Sequence, residues 1–309
     1  MSEPPFPGGF SEPAPPPPEL SGFTVPPDVA ASASAEPLIS ANYNEWWQKT
    51  IAIVRSSWRM LLTLEVIGAA VNLVLTTPTS VYQQLNTREL QRAAASGDTR
   101  PDFSGLFAGL GLTLVAVFLT ALVGALVTLA VVRLVLGVAS GARPEVGDLL
   151  RGAARRLLPL IGWQLLAGLI ILLGVCACVL PAIYFAAVFT VLPVVVVLER
   201  GGVVSRCFRL FNSNLGVSVS RVATILGITV GASFAAGLVV AILNAVVRPE
   251  TASTGALVAT SVIGTLISVA VAGGLAMLTG PLTVTAYADM RARIEPLSTP
   301  QLAQELDRF

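Results

Sequence analysis

Glu65 and Arg133 are charged residues set well inside otherwise apolar stretches of this chain. A carboxylate in hydrocarbon can take up a proton or a cation, and a guanidinium at similar depth on an antiparallel neighbour can neutralise it. The sequence therefore predicts that Glu65 faces Arg133, or else a polar group such as Gln164. Two uses of that site stay open, a pair that fixes helix register and a proton or ion site. Trp58, Glu65 and Asn72 recur at heptad spacing, so this helix face is expected to look into a bundle.

The remaining reactive chemistry is sparse. There is no histidine, which removes the commonest general base and metal ligand at once. Cys176, Cys178 and Cys207 cannot make a disulfide framework, and Cys176 and Cys178 point to different helix faces, so all three read as small hydrophobes. No Walker loop, GxSxG elbow, HExxH or paired CxxC is present, so the chain is not expected to be an enzyme or to carry a cofactor or metal. A net charge of +1 gives no electrostatic case for binding nucleic acid.

The elements that must hold these residues are membrane helices. Of 309 residues, 54% are apolar and 12% charged, about half the charge of an ordinary soluble domain. Residues 104–132, 157–198 and 222–247 contain no Asp, Glu, Lys or Arg, and each run exceeds the roughly 20 residues that cross a bilayer core. As one helix, 157–198 would extend about 63 Å, twice the hydrocarbon thickness. A hairpin is the better reading, with its turn near Val179 to Pro181, since Pro181 suits the first turn of a new helix. The expected class is all-α, a polytopic bundle with spans at about 58–77, 104–138, 157–178, 181–198, 221–247 and 255–288. Pro78 is expected to close the first span and open a polar loop over 79–102.

Residues 1–41 are rich in Pro, Ser, Ala and Gly, predicting a disordered tail that a polyproline-reading protein could dock on. The first forty residues lack the basic start and apolar core of a signal peptide, so the first span is expected to direct insertion. A short C-terminal tail over 296–309 follows the membrane domain of 42–295. Arginines and Lys49 cluster before spans one, three and five and after span six. By the positive-inside rule, both termini of a plasma-membrane protein then face the cytoplasm.

The segments before spans one, three and five share apolar positions at i, i+3, i+4, i+7 and i+11. These are Trp47, Thr50, Ile51, Val54, Trp58; then Val146, Leu149, Leu150, Ala153, Leu157; then Val204, Cys207, Phe208, Phe211, Leu215. They predict cytoplasmic-side amphipathic helices at about 44–57, 145–156 and 203–215, either as part of a threefold internal repeat or because basic loops feeding spans share this look. Trp46, Trp47 and Trp58 fit interfacial anchors. Gly105 with Gly109, and Gly227 with Gly231, have the spacing of close helix approach.

The run Pro181-Ala182-Ile183-Tyr184-Phe185, the stretch from Leu192-Pro193 through Leu198-Glu199, Gly201-Gly202 and the exit Tyr287-x-Asp289-x-Arg291-x-Arg293 carry a resemblance. They are similar to the membrane domain attached to some glycerophosphoryl diester phosphodiesterases and to related stand-alone bacterial membrane proteins, mostly uncharacterised. The proline-rich tail resembles that of actinobacterial members. The resemblance implies a helical membrane module, without the separate catalytic domain and its chemistry.

Glu199, Arg206, Arg209, Asp289, Arg291 and Arg293 are expected to gather in a cytoplasmic charge cluster, either structural or contacting anionic lipid headgroups. Two functions follow. One is a non-enzymatic module that organises lipids or partner proteins; the other is a transporter or channel for a small solute or lipid, with Glu65, Asn72, Gln164, Pro193 and Asn244 lining a cavity. A polar cavity reaching Glu65 favours the second, and a dry bundle the first.

Overall fold

The computed structural model describes residues 36–96, 103–199, 201–247 and 253–307, all of it helix and connection. The chain runs α1 (Tyr43–Ser96), α2 (Phe103–Ala139), α3 (Val146–Ala177), α4 (Val179–Phe189), α5 (Leu192–Leu198), α6 (Val203–Ser213), α7 (Leu215–Val246), α8 (Thr254–Ala292) and α9 (Thr299–Asp307). Among the described residues, six stretches are long and apolar enough to cross a membrane, with α4 and α5 together making the fourth. Large apolar side chains such as Leu158, Leu180 and Phe234 are 74–79% exposed. Such a belt needs hydrocarbon around it, and the chain is a multi-pass membrane protein.

The helices begin and end where local chemistry allows. Asn42 Oδ1 accepts from Glu45 N–H at 2.9 Å and Glu45 Oε2 accepts from Ala41 N–H at 2.9 Å, a reciprocal cap on α1. Asn214 and Ser253 cap α7 and α8 in the same way, accepting from the amides of Val217 and Ala256. The turn after α2 uses Gly141 at φ 81°, with Ala142 N–H reaching Gly137 O at 2.9 Å. The α3–α4 hairpin turns at Cys178, in extended backbone, with Pro181 in the first turn of α4 as expected. It closes tightly because Gly174 has no side chain: a Cβ there would lie 3.0 Å from Ala182 N.

Several expectations need correction. Pro78 does not end the first helix, which continues to Ser96. Membrane helices tolerate proline where Ser, Thr and neighbouring helices satisfy the freed groups. Here the helix is held through Pro78 by its neighbours: the Ser80 hydroxyl meets that of Thr265 of α8 at 3.2 Å, and Tyr82 donates to Gly105 O of α2. The amphipathic segments before spans one and three are not separate helices but the first turns of α1 and α3; only the third, α6, stands alone. Thr50, Leu149 and Cys207, equivalent in the three patterns, are all buried. Trp46 is not an interfacial anchor but a wholly buried residue beneath Arg221, whose Cζ lies 5.6 Å from the ring centre.

The described residues on either side of the membrane domain, 36–41 and 296–307, are more structured than expected. Residues 1–35 of the proline-rich tail lie outside the described residues, but Leu38, Ile39 and Ser40 are buried. Lys49 Nζ donates to Glu36 O and Ile39 O at 2.7 and 2.6 Å, and Glu36 Oε2 accepts from Thr299 N–H at 2.8 Å. The expected C-terminal tail contains α9, which inserts Leu302 and Leu306 into the core.

The core sits at one end of the bundle, where both described termini and most described arginines lie. Leu129 to Leu136 of α2, Val194 to Leu198 of α5 and Ala286 to Ala288 of α8 meet there with little exposure. Gly280 brings α8 onto α2 so closely that a Cβ would fall 2.5 Å from Val131 Cγ1. Away from this basic end, α2 and α8 are separated by open space.

Candidate functional site

The space between α2 and α8, floored by α1, is a cavity of about 730 Å³. Its lining on α1 runs from Glu65 through Asn72, Thr76, Ser80 and Gln83 to Thr87, about 33 Å of helix at 1.5 Å per residue. Steps of seven, four, four, three and four residues keep these side chains on one face. Thr120, Gly124 and Thr128 of α2 form one wall, Thr265, Ser268 and Gly273 of α8 the other, and Asn244 of α7 stands near the outer end.

Glu65 marks the inner end. It is 8% exposed, and α8 passes it at Gly273, where a Cβ would sit 3.8 Å from Glu65 Cβ. Its Oε1 is buried without a hydrogen-bond partner, as are Asn72 Oδ1 and Thr120 Oγ1. An unmatched buried acceptor costs about 1–3 kcal/mol, and more when charged, so three around one cavity mark a place where the fold withholds satisfaction.

The expected pairing of Glu65 with Arg133 is not made. Arg133 turns instead onto α3, where a Cβ at Gly152 would meet its Nε at 2.5 Å. Gln164 is exposed on α3, and neither it nor Pro193 lines the cavity. Trp58 is 47% exposed despite sharing the heptad face, and packs with Arg59, whose Cζ lies 5.4 Å from its ring centre. Of the five expected lining residues, Glu65, Asn72 and Asn244 line the cavity, Glu65 at its inner end and Asn244 near its outer end.

The sequence reading missed the hydroxyls. Thr76, Ser80 and Thr87 continue the Glu65 and Asn72 face, but ending the helix at Pro78 cut that face short. Among the glycine pairs, Gly109 does sit close to a neighbour, Tyr82, while Gly227 and Gly231 face open space.

The charge cluster gathers at the basic end and is larger than expected. Arg206 bridges Glu199 at 2.8 Å and Glu295 at 2.7 Å, and Arg291 holds Glu305 through two bonds of 2.6 and 2.8 Å. Tyr287 Oη donates to Glu199 Oε1 at 2.8 Å and accepts from Arg291 Nη1 at 3.2 Å. The turn that allows this uses Gly202 at φ 63°, a left-handed conformation that favours glycine. Burial alone would raise the Glu295 carboxyl, but Arg206 and Arg291 hold it below the usual carboxylate range. Burial, then the Glu199 charge, push the Cys207 thiol up to about 12.

Asp289 belongs to a second group, with Arg221 of α7 and the Ser40 N–H, which donates to Asp289 Oδ1 at 2.6 Å. Arg209 and Arg293 are exposed and take part in none of these bonds. Paired this way, Glu199, Arg206, Asp289 and Arg291 hold α5 to α9 together.

No protein-family model, curated protein or solved structure matches the chain.

Proposed function

We propose that this chain is a non-enzymatic protein of the bacterial plasma membrane, with both termini in the cytoplasm, that binds and passes a small solute or lipid headgroup along the α1, α2 and α8 groove. The observation that carries the reading is a mainly apolar cavity, set with Asn, Gln, Ser and Thr side chains, that ends at a buried carboxylate whose Oε1 has no hydrogen-bond partner. Ionisable groups at such depth are expensive and usually mark a pathway or a ligand site. The orientation rests on Arg55, Arg59, Arg151, Arg155 and Arg156 lying at the end opposite Arg88 and Arg92. A module that only organises lipids or partner proteins would need no such opening.

Comparison of what co-purifies in native-lipid discs with the wild type and with Gly124→Trp tests this. A Cβ at Gly124 meets nothing within 4 Å, so the indole fills the groove rather than the fold. Small molecules or lipids lost from the variant support the reading. Identical small-molecule and lipid profiles, with one protein partner retained by both, would favour the organising module.

A further inference from the structure

We infer that the groove's ligand is an organic ammonium, a primary or secondary amine in its protonated form on an apolar skeleton. This rests on the groove reading above and adds the chemistry of the occupant.

Charge is the first selector. Glu65 is the one formally charged side chain among the described lining residues, and neither lysine nor arginine joins it. An anion would meet an unscreened carboxylate in a low-dielectric site, while a cation would neutralise it.

The second is the polarity of the hydrogen bonds offered. A serine or threonine has one hydrogen to donate and two lone pairs. Thr76, Thr128 and Ser268 each spend that hydrogen on the carbonyl four residues back, at 2.7–2.9 Å. What they turn to the groove is acceptor capacity. Asn72 Oδ1 is likewise an acceptor without a partner. At the outer end, the side-chain amides of Gln83 and Gln84 already donate to Thr113 and Asn244. Thr120 keeps its own hydrogen and Gln83 and Gln84 each keep a second N–H, but the acceptors beside Glu65 are complemented by a group with several N–H donors and no lone pair, as in an ammonium.

The third is the wall between these polar points. Ala69, Val127, Val269 and Ala276 supply apolar surface, suited to the carbon skeleton that follows an ammonium seated at Glu65. At about 730 Å³ the groove has room for a chain of several carbons.

The test is binding of matched probes to the full chain in nanodiscs, with empty discs subtracted. The probes are n-hexylammonium, its N-trimethyl analogue, n-hexanol and hexanoate. The wild type is expected to bind hexylammonium about tenfold or more tightly than the trimethyl analogue and hexanol, with hexanoate weakest. Glu65→Gln should level hexylammonium and hexanol, and Glu65→Asp should retain the preference. Wild-type affinities that are equal for hexylammonium and hexanol overturn the ammonium assignment, and this comparison needs no variant. A preference that survives Glu65→Gln overturns it too. In either case, loss of all binding in Gly124→Trp leaves the groove reading standing; binding indifferent to Gly124→Trp overturns both.

Discussion

The guanidinium of Arg221 and the carboxylate of Asp289 meet at 2.5 Å with side-chain exposures of 2% and 0%. The contact is ionic rather than a well-aligned hydrogen bond, and it ties α7 to α8 directly over the ring of the buried Trp46. Removing one partner of such a pair leaves an uncompensated buried charge, which costs about 3–5 kcal/mol. Asp289→Ala should therefore lower thermal stability in detergent sharply. Arg221→Met combined with Asp289→Leu should recover most of that loss, because the desolvation cost disappears along with the attraction. A double variant as unstable as the single one would contradict this.

Glu295 makes the basic end sensitive to acid. Its carboxyl is held below the ordinary value of 4.5 in the folded chain, so the unfolded state binds more protons near that pH. Its contribution is complete above about 4.5 and is lost as pH falls through the lower folded value. The melting temperature should drop below that pH, and the drop should be shallower in Glu295→Gln. Parallel pH profiles for the two would count against the Arg206 and Arg291 pairing.

Cys207 should be chemically silent. It is 0% exposed and its thiol is pushed up to about 12, whereas the thiolate is the reactive form. Maleimide should leave it unmodified in the native protein at pH 7 and label it after denaturation. Labelling in the folded state would mean that the α6 face opens.

Two glycines separate the packed end from the open one. At Gly280 a Cβ would lie 2.5 Å from Val131 Cγ1, while at Gly124 it would meet nothing within 4 Å. Gly280→Val should cost about 1–3 kcal/mol through overpacking, and Gly124→Trp should unfold close to the wild-type temperature. The reverse order would show that the space between α2 and α8 closes.

Much of the architecture was legible because hydrocarbon imposes a crude rule: charge-free runs of sufficient length must be helices. The hairpin at Cys178 followed from a length limit and one proline. Pro78 misled because the rule that proline breaks helices belongs to water, where freed backbone groups have an easy alternative. The Glu65 to Arg133 pairing failed because sequence gives depth in the membrane but not azimuth. Arg133 is expected at the depth of Glu65, yet its side chain turns to α3 and Gly152. Most of the partners in the charge cluster were invisible for the same reason: Glu305 looks like an ordinary exposed charge until α9 packs on α2 and α5, and Glu295 until α6 brings Arg206 to it.

Accessibility of position 72 to water tests the groove most directly. In a chain lacking Cys176 and Cys178, Asn72→Cys should react with a membrane-impermeant methanethiosulfonate added on the side opposite the termini. Val74→Cys, about 3 Å further along the same helix at a position 72% exposed to hydrocarbon, should not. Equal protection of both would mean that no aqueous path reaches toward Glu65, and the account of this protein as a binder of solutes would be wrong.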